Sequence, residues 1–164
     1  MSLGDNAPKK SQAKQYYRAG NNNADEAINR NKSFKKEHGI YQEYAPYYLK
    51  ALCEFGLKRY KEAKDAIGVA IDQNNGNRAY FELLANICAN RKEWEEAGNA
   101  RMTAAEFSLA EGLLDNAQAN YKKAKKNYNN AKNSSETEEA RLKFDQKANE
   151  AESQITEVQK PQKP

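Results

Sequence analysis

The sequence predicts an all-α fold made of stacked helix pairs, and three observations lead to that prediction. The helix formers Ala, Lys, Glu and Gln are abundant together with Asn, whereas Val and Ile are scarce and only four prolines occur. The mean hydropathy is −1.10 and 30% of the 164 residues are charged, so the core must be thin. Finally, the phrase RYKEAKDA at Arg59 returns as EWEEAGNA at Glu93, 34 residues later.

Before the repeat, the sequence predicts a polar leader and two short helices. Residues 1–9 contain proline and show no periodicity, so we expect them to be disordered. A first helix is expected to end at Gly20, because the next three residues are the turn-favouring asparagines 21–23. A second helix is expected over 24–36, where apolar residues recur at helical spacing, and it should stop at the His-Gly pair that follows.

The first copy of the repeat predicts one helix pair. Pro46 suits the first turn of a helix, because the backbone N–H that it lacks would have no intrahelical partner there. This helix should run to about Phe55, before Gly56 weakens it. The second helix is expected over 61–73, where alanines and isoleucines form one apolar stripe, and the NNGN stretch at 74–77 should end it.

The second copy repeats this pattern. It predicts a helix over 80–88, a short turn at 90–92, and a second helix that begins near Trp94. From Met102 onward this second helix meets no breaker until Gly112. A further helix is expected over 114–131, because its apolar residues step by three or four.

The C-terminal segment predicts a last helix that closes the array. Ser135 is the expected N-cap, and the acidic residues after it suit the first turn. Apolar residues then occupy one face over 140–158, and the polar stretch 159–164 is expected to be a disordered tail.

A helix pair of this kind cannot bury both of its faces alone, so we expect neighbouring copies to stack. The repeated alanines let adjacent helices approach closely, and Tyr60 and Trp94 are expected to wedge between neighbouring pairs.

At this interval the chain resembles the tetratricopeptide repeat (TPR) family. The second copy matches the family pattern without a gap at Phe81, Leu84, Ala85, Cys88, Trp94, Ala97 and Ala104. The resemblance implies a right-handed superhelical stack of antiparallel helix pairs, a TPR-like α-solenoid, over residues 10–132, with a C-terminal capping helix over 133–158. Both copies carry lysine where the turn of the family has glycine.

The third copy departs from the regular interval. Gly112, Ala117, Tyr121 and Ala124 repeat the pattern of a second helix, but Ala117 follows Ala97 by only 20 residues. The helix over 95–111 must therefore serve two units, or the register must change. The run from Ala105 to Lys126 is also similar to repeat segments that follow zinc-protease domains in bacterial envelope proteins, which bears on a bacterial origin and not on activity.

The sequence predicts a protein that is not an enzyme and needs no metal or cofactor. His38 is the only histidine, and its expected role is helix capping or solvent exposure. Cys53 and Cys88 lie within apolar helical phrases, so each is expected to pack as a small hydrophobe. The chain contains no HExxH, CxxC, Walker-type or GxGxxG motif.

The predicted partner is a protein or peptide bound in a concave groove. The resemblance implies that outward residues of the first helices line such a groove, namely Leu49, Lys50, Cys53, Leu57, Glu82, Leu83, Asn86 and Asn90. Amides can bond to a peptide backbone, while leucines offer apolar anchors. The alternative is that Leu49 and Leu83 pack on neighbouring helices. The lysine and asparagines that hold acidic chaperone tails in some family members are missing, so that partner is disfavoured.

Two other hypotheses remain open. Nucleic acid could bind a lysine face formed by Lys122, Lys125, Lys126 and Lys132, although the tyrosines of this helix should be buried and leave the lysines simply solvated. The chain could also form a homo-oligomer, if the last helix covers a second copy. No apolar run is long enough for a membrane span, and the predicted location is the cytoplasm, or the periplasm if a signal peptide has been removed.

Overall fold

The computed structural model describes residues 10–38 and 45–159, and these residues form seven helices and no strand. The predicted all-α class is therefore confirmed. The helices are α1 Lys10–His38, α2 Ala45–Gly56, α3 Tyr60–Gln73, α4 Arg78–Asn90, α5 Trp94–Ala110, α6 Leu114–Asn133 and α7 Glu138–Val158. The predicted leader 1–9 and the tail beyond residue 159 lie outside the described residues, and so does the side chain of His38.

The chain divides into two compact units, Met1–Ala70 and Ile71–Pro164, with the boundary inside α3. In the first unit, α1 packs against α2. A Cβ on Gly20 would lie 2.7 Å from the Cys53 sulfur, and a Cβ on Gly56 would lie 2.5 Å from the Tyr17 ring. Tyr17 precedes Gly20 in α1, whereas its partner Gly56 follows Cys53 in α2, so the two helices run antiparallel at close range.

The N-terminal segment corrects the sequence prediction, because α1 is one continuous helix where two helices and a turn were expected. Asparagine costs a helix less than about 1 kcal/mol per residue, so the asparagines 21–23 weaken α1 without ending it. Gly20 does not end it either, since its missing side chain lets the helix approach Cys53. Packing against α2 thus overrides the local turn signal.

In the second unit each helix packs against the next one, α4 on α5, α5 on α6 and α6 on α7. One cluster of the core joins Tyr128 of α6 to Phe144 and to the alanines of α7, and Trp94 of α5 packs against it. Trp94 therefore contacts helices beyond its own pair. A second cluster joins Ala105 of α5, Tyr121 of α6 and Ile155 of α7.

The same turn occurs three times, after α2, α4 and α5. In each, the backbone bends through a residue with positive φ, which is Lys58 at 62°, Lys92 at 63° or Gly112 at 74°. After α4, the Glu93 N–H donates to the Cys88 carbonyl and the Lys92 N–H to the Ala89 carbonyl, which is the Schellman arrangement. The other two turns show the same pair of bonds. The left-handed residues are spaced by 34 and then by 20 positions, and the single helix α5 lies between the second and third turns.

These turns lead to a prediction about their left-handed residues. A residue with a Cβ is strained at positive φ, whereas glycine is not. We expect Lys92→Gly to raise the free energy of unfolding by up to about 1 kcal/mol. Gly112→Ala, at the equivalent position of the third turn, should lower it by a similar amount. Urea unfolding followed by far-UV circular dichroism measures both, and a loss of stability in Lys92→Gly would contradict the argument.

The start of α7 differs from the prediction by two residues. The N-cap is Thr137, whose hydroxyl accepts a hydrogen bond from the Ala140 N–H at 3.2 Å, and not Ser135. The Ser135 hydroxyl instead donates to the Ala131 carbonyl, so Ser135 satisfies a backbone acceptor at the C-terminal end of α6. In the part of the chain that the structure describes, no helix combines the length and apolar character that a bilayer crossing requires.

Candidate functional site

A polar cleft of about 430 Å³ opens in the second unit, with α4 and α6 as its walls and α5 at its base. We call it the α4–α6 cleft. Its polar and aromatic lining consists of Asn86, Asn90, Trp94, Arg101, Lys123, Lys126, Asn127 and Asn130. Amide and cationic side chains thus dominate a surface that also offers one large ring.

Arg101 is the most deeply placed charge of this cleft. The residue is 6% exposed, and its guanidinium donates one hydrogen bond to Asn120 Oδ1 of α6 at 3.0 Å and another to Asn86 Oδ1 of α4. Burial lowers the pKa of Arg101, and the negative charge of Glu82 partly offsets this effect. The three helices are therefore tied together through one arginine.

A second cleft of about 310 Å³ shares Asn86, Arg101 and Lys123 with the first. Here the Glu82 carboxylate accepts hydrogen bonds from Asn120 at 3.0 Å and from Arg78 at 2.8 Å. Burial raises the pKa of Glu82, but the bonds from Asn120 and Arg78 and the two nearby arginines outweigh it, so this pKa lies below its usual value. Glu82 is consequently held as a carboxylate whose nearest bonds go to residues other than Arg101.

Two lysines on the cleft wall of α6 are available to a ligand. Lys123 and Lys126 are exposed and form no ion pair with any residue that the structure describes. By contrast, Lys125 pairs with Glu152 at 2.6 Å and Lys132 with Asp145 at 2.7 Å, both on α7.

The lysines of α6 therefore differ in their availability, which bears on the predicted lysine face. The predicted burial of the tyrosines is confirmed, since Tyr121 is 2% exposed and Tyr128 is 3% exposed. Lys122 stays exposed, but two of the four lysines of the proposed nucleic-acid face are held by α7.

Three of the four groove residues predicted in the second copy lie at these clefts. Asn86 and Asn90 line the first and Glu82 lines the second. The prediction that Leu83 lines the groove is wrong, because this residue is only 5% exposed. Leu83 belongs to a buried stripe of α4 with Tyr80 and Ile87, which are spaced by three and four residues. It therefore packs in the core and is not accessible to a partner.

The residues predicted in the first copy are not brought together in a comparable site. Lys50 pairs with Asp25 of α1, and the Cys53 sulfur lies against Gly20 of α1, so α1 takes up part of the face that was expected to be open. Burial, followed by the charge of Glu54, raises the pKa of Cys53, which keeps its thiol protonated. Leu49 is 51% exposed, and Leu57 is half-buried at the turn after α2.

Lys50 also lines a different cleft of about 310 Å³ in the first unit. Its other charged lining residues are the acids Glu54, Glu62 and Asp65, so its charge is opposite to that of the α4–α6 cleft.

Sequence reasoning missed Arg101 and Asn120, the two residues that join the walls of the α4–α6 cleft. Arg101 falls in the stripe of α5 that the periodicity assigns to the core, so it was counted as a packing residue and not as a binding residue. The available signal was the repeat itself, because Arg101 stands 34 residues after Ile67, an apolar core residue.

One group of potential metal ligands occurs at the α4–α5 turn. The Cys88 sulfur and one carboxylate oxygen each of Glu93 and Glu96 lie within 4.8 Å of one another. Cys88 is fully buried, and Glu93 already accepts a hydrogen bond from Arg91 at 2.7 Å. Core packing accounts for Cys88, and the ion pair with Arg91 accounts for Glu93.

Compared with models of known protein families and with curated protein sequences, the chain matches none.

Proposed function

We propose that this protein is a non-catalytic interaction module that binds an extended segment of a partner protein in the α4–α6 cleft. The observation that carries the proposal is the cleft itself, which three packed helices hold open and line with amides, cations and Trp94. Its framework is rigid, since Arg101 bonds to both walls.

The chemistry of the lining suits a polypeptide. An extended peptide brings unpaired N–H and C=O groups, and each needs a partner when it leaves water. Asparagine amides on both walls offer donors and acceptors together, while the half-buried Trp94 offers an aromatic surface for one side chain. A lining of this kind supports binding and positions no nucleophile beside a general base.

A TPR-like architecture is part of the same proposal. The three identical turns, the first two spaced by 34 residues, support it, and so do the alanines that follow them. Ala63, Ala97 and Ala117 each stand five residues after the left-handed residue and are fully buried. In such a repeat the first helices border the recognition groove, and α4, the first helix of the second copy, forms one wall of the α4–α6 cleft.

The test is selection of random peptides displayed on phage against the whole protein. A variant with Asn86→Trp and Asn90→Trp fills the cleft from its α4 wall, where both side chains are exposed. A matched control carries Asn75→Trp and Asn133→Trp, two exposed positions that line neither cleft.

We expect the selected peptides to bind the wild type and the control variant, and not to bind the cleft variant. Circular dichroism should show the same helical content in all three proteins. Peptides that bind the cleft variant equally well, or a library from which nothing is enriched, would refute the proposed function.

A further inference from the structure

The three turns allow equivalent positions to be compared, by counting from the left-handed residue of each turn. At two of these positions one copy carries a polar residue where the other copies do not. Nine residues after the left-handed residue stand Ile67, Arg101 and Tyr121, all buried. Two of these are large and largely apolar, whereas the second copy has a buried guanidinium. A charge at a core position costs stability unless it is paired, so its presence needs a reason other than packing.

The second irregular residue lies one position earlier in the count. Eight residues after the left-handed residue stand Ala66, Ala100 and Asn120, again all buried. Asn120 is therefore an amide where the other copies have a methyl group. The two irregular side chains bond to each other, since Arg101 donates to Asn120 Oδ1 at 3.0 Å.

Among the described residues, no carboxylate bonds directly to Arg101. A guanidinium has five N–H donors, and the two bonds described for Arg101 both go to neutral amides. The Glu82 carboxylate, whose charge affects the pKa of Arg101, bonds to Arg78 and Asn120 instead. Lys123 adds a further cation that has no ion pair among the described residues, and none of the described residues that line the α4–α6 cleft is acidic.

We propose that the α4–α6 cleft selects acidic segments, and that a Glu or Asp side chain of the bound peptide completes the ion pair that Arg101 lacks. Lys123 and Lys126 would pair with neighbouring acidic side chains of the same segment. This inference rests on the proposed function and specifies its ligand.

The lining favours a carboxylate peptide over nucleic acid. Arg101 sits 6% exposed at the base of the cleft, where a single side chain can reach it but a phosphate backbone tracking the surface cannot approach closely. Binding should still weaken with salt, because exposed lysines contribute.

The experiment uses the whole protein and a labelled peptide in which glutamate alternates with glycine, with both termini blocked. Its control peptide replaces every glutamate by glutamine. The protein variant combines Arg101→Ile with Asn120→Ala, which restores the residue types of the first copy. Replacing a buried polar pair by apolar residues of the repeat should leave stability unchanged or higher.

By fluorescence polarisation, we expect the glutamate peptide to bind the wild type and the glutamine peptide not to bind. The restored variant should bind the glutamate peptide about ten- to a hundredfold more weakly than the wild type does. A second variant, Lys123→Gln with Lys126→Gln, changes only exposed side chains and should bind the glutamate peptide several-fold more weakly than the wild type does. The inference therefore stays testable if the first variant fails to fold.

Three results would overturn the inference: equal binding of the glutamate peptide to the restored variant, equal binding of the glutamine peptide to the wild type, and tighter binding of a single-stranded oligonucleotide of the same charge. Failure of the glutamate peptide to bind while phage selection still yields cleft-dependent peptides refutes the acidic ligand alone. If both experiments fail, the proposed function falls with it.

Discussion

Replacing Tyr128 by alanine is expected to lower the free energy of unfolding of the second unit by about 3–5 kcal/mol, the range for deleting a buried aromatic side chain. Tyr128 is 3% exposed and packs in the cluster that joins α5, α6 and α7. Its hydroxyl donates to Asn99 Oδ1 at 2.9 Å, and the Lys147 ammonium lies 5.5 Å from the ring centroid. Deleting the ring leaves a cavity at the point where three helices meet.

The control is Tyr128→Phe, which keeps the ring and removes only the hydroxyl. Its expected cost is about 0.5–1.5 kcal/mol, the net value of one hydrogen bond. Urea unfolding followed by far-UV circular dichroism compares the two variants. If they destabilise the protein equally, the ring is not what holds α6 in place. Burial also raises the pKa of Tyr128 to about 12, so the hydroxyl remains a donor throughout the ordinary pH range.

The second large effect is expected at Gly98, where α5 gives room to that same ring. A Cβ at this position would overlap the Tyr128 ring, which cannot move aside because it is buried and hydrogen-bonded. Overpacking of this kind costs about 1–3 kcal/mol. Gly98→Ala should therefore destabilise the protein, although alanine is the better helix former by about 0.5–1 kcal/mol.

The matched control is Gly68→Ala. Gly68 also lies inside a helix, and none of the described atoms comes within 4 Å of the Cβ that it would carry. Here the gain in helix propensity stands alone, so we expect stabilisation by about 0.5–1 kcal/mol. Thermal unfolding of both variants settles the comparison, and the same sign of change in both would contradict the tight contact at Gly98.

The regular features of this fold could be predicted from sequence because local signals and packing agree there. The NNGN stretch ends α3, and Asn77 at its end caps α4 with a bond from the Ala79 N–H. The apolar stripes of α6 and α7 fall on the buried faces that their spacing predicts. Alanines at fixed intervals after each turn are fully buried for the same reason.

The features that could not be predicted depend on contacts across helices. The asparagines 21–23 favour a turn by themselves, and only packing of α1 on α2 makes them helical. Leu83 and Leu84 are adjacent apolar residues, and the sequence cannot decide which of them is the more exposed. The α4 wall of the cleft could be predicted, because its residues follow from the repeat. The position of Arg101 at the base of the cleft could not, because it depends on a hydrogen bond to Asn120 of another helix.

The position of Trp94 provides an optical probe that the chain already contains. It is the only tryptophan, it belongs to the unit Ile71–Pro164, and it both borders the α4–α6 cleft and touches the Tyr128 cluster. Its emission should shift when the cleft fills and when this unit melts, but should not respond to melting of Met1–Ala70 alone. Circular dichroism records helices of both units, so comparing the two signals during one denaturation would reveal whether the units unfold in one step or in two.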